Sequence, residues 1–166
     1  MSEVKVVSKD PLRAHVLELL RGGQAHATFE DAVAGLPAGQ RGAIPPGVPH
    51  SPWQLVEHIR ITQDDILQFS TNVEGQYASP EWPAGYWPKG ASPASAKAWG
   101  ASLEAIAADR AAIERLVADP ANDLLAPFPW GDGQTLLREA LLVADHTSYH
   151  VGQLILVRRT LGAWSD

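Results

Sequence analysis

The stretch DHTSYHVGQ, residues 145–153, sets His146 and His150 four residues apart. On a helix this spacing puts both imidazoles on one side, within reach of a single divalent ion at about 2.0–2.1 Å. The line Leu142, His146, His150, Val157 is otherwise apolar, so the pair falls on an inward stripe. Two buried imidazoles need partners, and two arrangements satisfy them. Either each ring hydrogen-bonds separately as a core histidine, or both ligate one metal and another helix supplies a third ligand. His58, one turn from Leu55, is the best-placed third ligand, because it lies beside a stripe that must face the interior.

Three neutral imidazoles leave one position open on zinc, and more on an octahedral ion, which is what chemistry on a water or a substrate thiol requires. Zinc or nickel is expected, although imidazole also suits iron and copper. Thr147 stands where the zincin motif carries its glutamate base, which argues against a metalloprotease. Glu57, Glu139 and Asp145 are carboxylates near these histidines in sequence. They are candidates for orienting a ligand ring, and each also suits an ordinary surface position. His26, just past Gly22 and Gly23, is an alternative ligand or substrate contact; His50 precedes a helix cap, and His15 reads as structural or exposed.

The elements that must carry these residues are helical. Asp10 and Pro11 open a helix whose stripe is Leu12, Val16, Leu19 and Leu20, and Thr28 caps a shorter piece that Pro37 ends. Ser51, Pro52 and Gln54 form a capping box for a helix running to about Ser70. A third long helix is expected over roughly Pro93 to Val117, and a last one from about Thr135 to Leu161. The last is apolar on most sides, which predicts the central, most buried helix. Two Pro/Gly-rich connectors, residues 72–92 and 119–133, contain Trp82, Tyr86, Trp87 and Trp130. These aromatics either roof a pocket or pin irregular chain to the helices. With no strand-like alternation and no internal repeat, the reading is an all-α four-helix bundle with long irregular connectors, one domain over residues 1–166.

Composition narrows the function. The net charge is -6, with 13 Lys+Arg against 19 Asp+Glu, so no broad basic surface is expected and nucleic acid is not an expected partner. No stretch has the length of a membrane span, and the N-terminus lacks a signal-peptide core. A cytoplasmic protein with no membrane partner is the expectation. There is no cysteine, so thiol chemistry would use a thiol brought by a small-molecule substrate.

HSPWQLVEHI at residues 50–59, together with DHTSYHVGQLILVRR at 145–159, resembles the DinB-like superfamily of metal-dependent proteins. The resemblance extends from about Leu12 to Trp164 and is most specific in the H-x-x-x-H-x-G-Q run from His146 to Gln153. It implies a four-helix bundle in which one histidine of the second main helix and two of the last bind a divalent metal. Those positions here are His58, His146 and His150. It further implies hydrolase, thiol transferase or isomerase activity with low-molecular-weight thiols, and pairing into a homodimer. The alternative is a non-catalytic metal-binding or stress-response module on the same frame.

Overall fold

The computed structural model describes residues 10–164, and these are all-α, with no named strand. The ends of the 1–166 span, residues 1–9 and 165–166, lie outside the described residues. The five α-helices are α1 (Pro11–Arg21), α2 (Phe29–Val33), α3 (Pro52–Ser70), α4 (Ala96–Ala118) and α5 (Leu136–Thr160). Local chemistry sets most of their starts. The side chains of Asp10, Thr28, Ser51, Ser95 and Thr135 each accept a hydrogen bond from a backbone N–H in the first turn that follows, satisfying a donor the helix itself leaves open. At Thr28 and Ser51 the bond is reciprocated, by Asp31 and Gln54.

Three helices differ in their boundaries from the sequence reading. α4 begins at Ala96 rather than Pro93, because the Ser95 hydroxyl takes the cap. α5 begins and ends one residue inside the expected range, with Thr135 and Leu161 as its caps. α2 stops at Val33, well before Pro37, where the chain turns through Gly35 at a φ of 65°, a conformation that favours glycine.

The long helices pack through two apolar clusters arranged along the axis. One joins Leu55, Val56 and Ile59 of α3 to Ile106 of α4 and Val151, Leu154 and Val157 of α5. The other joins Val16 and Leu20 of α1 to Ile66 of α3, Ile113 and Val117 of α4, and Val143 of α5. Each such fully buried side chain contributes about 1.5–3 kcal/mol. α5 packs against each of the other four helices, as a central helix must. It is not the most buried one, however: α3 buries ten of its 19 residues, α5 ten of its 25. Leu141, Tyr149 and Leu156 leave one side of α5 exposed.

Both connectors fold back onto the helices. In the segment between α3 and α4, the hydroxyls of Tyr77 and Tyr86 donate to the two carboxylate oxygens of Asp65 on α3 at 2.7 and 2.8 Å. The Ser51 hydroxyl also donates to the Ala91 carbonyl. In the segment between α4 and α5, the Trp130 indole N–H donates to the Phe69 carbonyl at 2.8 Å and its ring stacks on Phe128. Arg13 donates to the carbonyls of Val117, Asp119 and Asn122, closing the C-terminal end of α4.

Candidate metal centre

His58 comes from α3, and His146 and His150 from α5. Along α5 the two histidines fall between Val143 of one apolar cluster and Val151 of the other, so the polar site occupies the junction where neither core continues. Nε2 of His146 lies 3.1 Å from Nε2 of His58. The His150 ring is 4.7 Å from that of His58 and 4.5 Å from that of His146, centre to centre. These three form the one group of histidine and acidic side chains, among the described residues, close enough to share a metal ion.

Hydrogen bonds decide which nitrogens are available. Nδ1 of His58 is 2.7 Å from the Tyr86 carbonyl. A carbonyl only accepts, so Nδ1 carries the proton and Nε2 presents its lone pair. Nδ1 of His150 is likewise 2.7 Å from the Gln153 side-chain oxygen, which leaves Nε2 of His150 as its ligand atom. With a neutral His58, the His146–His58 contact requires His146 to donate from Nε2. Two lone pairs and one exchangeable proton therefore converge on one point.

That donor set fits a divalent ion. The 3.1 Å spacing is close to the ~3.0–3.4 Å separating two nitrogens held at ~2.0–2.1 Å by one ion. Each ligand atom lies within 4.8 Å of the others. Protonation does not compete near neutral pH. Burial, followed by the neighbouring His150 and His58, pushes His146 down to about 3. Burial pushes His150 down to about 4 against the opposing bond to Gln153. Burial also lowers His58, although its bond to Tyr86 works the other way.

Two of the carboxylates weighed as orienting groups or surface residues make other contacts. Glu57 accepts two bonds from Arg60, at 2.8 and 3.0 Å, and one from the Ser102 hydroxyl. Burial alone would raise its carboxyl, but these bonds and the Arg60 charge hold it below its ordinary range. Glu139 pairs with Arg138 at 2.7 Å, and Asp145 is exposed. The orienting groups are instead the Tyr86 carbonyl and the Gln153 amide. Gln153 stands three residues after His150, a spacing that places the two on one helix face, so a sequence signal for it existed. Tyr86 had none, since its position depends on the path of a connector.

The aromatic residues divide. Trp87 lies flat on His58, with ring centres 3.9 Å apart and planes 5° apart, and its other neighbour His50 stacks on it at 4.0 Å. Trp87 and the Tyr86 backbone thus wall the site. Trp82 is 79% exposed and meets Tyr86 edge-on, while Trp130 packs on Phe128 away from the histidines. His50 stacks on Trp87, and its charge also acts on His58 and His150. His26 is outside the cluster, bonded to Ser148, and His15 is exposed beside Glu18.

No helix among the described residues is long and apolar enough to cross a membrane. Comparison with curated proteins and with solved structures finds no match. The family model of the DinB superfamily matches residues 21–154, a span that holds all three histidines of the cluster and most of the chain, and the protein belongs to that superfamily.

Proposed function

We propose that His58, His146 and His150 hold one divalent metal, zinc or nickel, on a four-helix-bundle frame, and that the site acts on a small molecule bearing a thiol or on a water. The observation that carries this reading is the convergence of the three imidazoles with Nδ1 of His58 and of His150 already committed to acceptors. An ion held there supplies Lewis acidity, which favours the deprotonated form of a water or thiol that reaches it. The protein's own part is to keep three rings neutral, to fix two tautomers, and to shield one side with Trp87.

Two features favour a thiol over a water. Glu57 and Glu139 are tied to Arg60 and Arg138, so the neighbouring carboxylates are poorly placed as general bases for hydrolysis. The chain also has no cysteine of its own to compete for the ion. The reaction class we infer is therefore thiol transfer or isomerisation with a low-molecular-weight thiol.

Elemental analysis of the untagged protein beside the His58→Ala, His146→Ala and His150→Ala variants tests the site. About one metal per chain, lost in each folded variant, is the expected result; full metal in all three would remove the site. A screen of thiol transfer and ester hydrolysis with the loaded protein then separates an enzyme from a binding module. Rates no higher than those of His58→Ala would favour the module.

A further inference from the structure

On the opposite side of α5 from the histidine cluster, the structure brings together a second set of reactive groups. Ser148 lies two residues from both His146 and His150, which turns it roughly 160° from either around the helix axis. Its hydroxyl oxygen is 2.8 Å from Nε2 of His26. Nδ1 of His26 is in turn 2.8 Å from the Ala27 carbonyl, so in the neutral ring Nδ1 carries the proton and Nε2 accepts from Ser148. Nucleophile, base and orienting acceptor are thus in line, the arrangement that activates a serine.

Several features make the contact more than a surface accident. The hydroxyls of Ser70, Thr71, Ser102 and Thr160 all donate to the carbonyl four residues back in their own helices, a common use of a mid-helix hydroxyl; Ser148 turns to His26. His26 is brought there by a built turn. Gly22 and Gly23 follow α1 with φ of 70° and 79°, which reverses the chain, and the Thr28–Asp31 capping box fixes the residue after Ala27. Both reactive residues line a cavity of about 420 Å³. Leu20, Phe29 and Ala144 form part of its wall, and Arg110, held by Glu30 at 2.7 Å, also lines it.

We propose that Ser148 and His26 form a nucleophile–base pair that acts on short-chain carboxylic esters, independently of any metal. The Ser148 oxygen bonds to the ester carbonyl carbon as its proton passes to Nε2 of His26. The carbon–oxygen bond to the alcohol then breaks, and the departing oxygen takes that proton. Water repeats the sequence on the acyl serine, releasing the acid and restoring the hydroxyl. The apolar wall suits a small acyl group.

The test uses the full chain with a chelator present and an alkyl fluorophosphonate as probe. Attack by the serine oxygen on phosphorus expels fluoride and leaves a stable adduct, read by intact mass and peptide mapping. One adduct, on Ser148, is expected; it is absent in Ser148→Ala and forms at least tenfold more slowly in His26→Ala and His26→Gln. Both His26 variants alter an exposed side chain, and circular dichroism establishes that they are folded. No adduct on Ser148 in the folded wild-type protein, or an unchanged rate in the folded His26 variants, would overturn the proposal.

Discussion

The Tyr86 carbonyl accepts a 2.7 Å hydrogen bond from Nδ1 of His58, and this one contact between a connector and a helix selects the nitrogen that His58 turns toward its partners. The connector is held in turn by Asp65, whose second oxygen takes the Tyr86 hydroxyl at 2.8 Å while its first takes Tyr77. Burial, then the bond to Asp65 and its charge, push the Tyr86 phenol up to about 12, so it remains a donor across the working range. Asp65 therefore acts on His58 through Tyr86.

Loosening that chain is expected to weaken the proposed metal site without touching any of its three histidines. Asp65→Ala and Tyr86→Phe are expected to lower divalent-metal affinity by about 10–100-fold, the usual cost of losing an orienting partner. Competition against a chromophoric chelator measures it. Affinity equal to wild type in folded Asp65→Ala, alongside lost binding in His58→Ala, would mean that the Trp87 stack alone fixes the ring.

Whether a feature could be read from the sequence depended on how far along the chain its cause lay. The caps at Asp10, Thr28 and Ser51 were legible because each is a contact between residues three apart. His58, His146 and His150 were legible because helical periodicity alone assigns them to inward faces. The family resemblance pointed to the same three. Glu57 and Glu139 were weighed as orienting groups for the histidines or as ordinary surface residues; each is buried and claimed by an arginine three or one residues away, a local pairing that the spacing allowed but did not single out. The stack of His50, Trp87 and His58 joins three positions that no local pattern links, because it depends on where the segment between α3 and α4 returns.

The histidine cluster also makes acid a specific stress on the metal-free protein. His146 and His150 are held at about 3 and about 4 in the folded state, whereas an unfolded imidazole titrates near ~6.5. Between these values the unfolded chain binds protons that the folded chain does not, so stability falls as pH drops. Above ~6.5 neither state is protonated and this contribution is constant; below about 3 both are, and the loss stops growing. Urea unfolding of chelated protein should accordingly give a plateau above pH 7 and a decline from about pH 6 to pH 4. His146→Ala should flatten the decline. An equally steep decline in that variant would assign the acid sensitivity to other groups.

Arg158 is a buried cation held by carbonyl oxygens. It is 5% exposed. Its guanidinium donates to the Ala32 carbonyl at 2.7 Å and to the Ala163 carbonyl at 2.7 and 3.0 Å, with Trp164 stacked against it at 5.0 Å. These oxygens end α2 and follow the end of α5, where the helix dipoles favour a positive charge. Arg158→Ala strands buried acceptors from two segments at once, for an expected loss of about 2–4 kcal/mol. Arg158→Lys keeps the charge but offers one point donor in place of a planar fork, and so should recover only part of it. Urea midpoints of the three proteins with unchanged slopes are the measurement. A lysine variant as stable as wild type would mean that the charge at the helix ends matters and the fork does not.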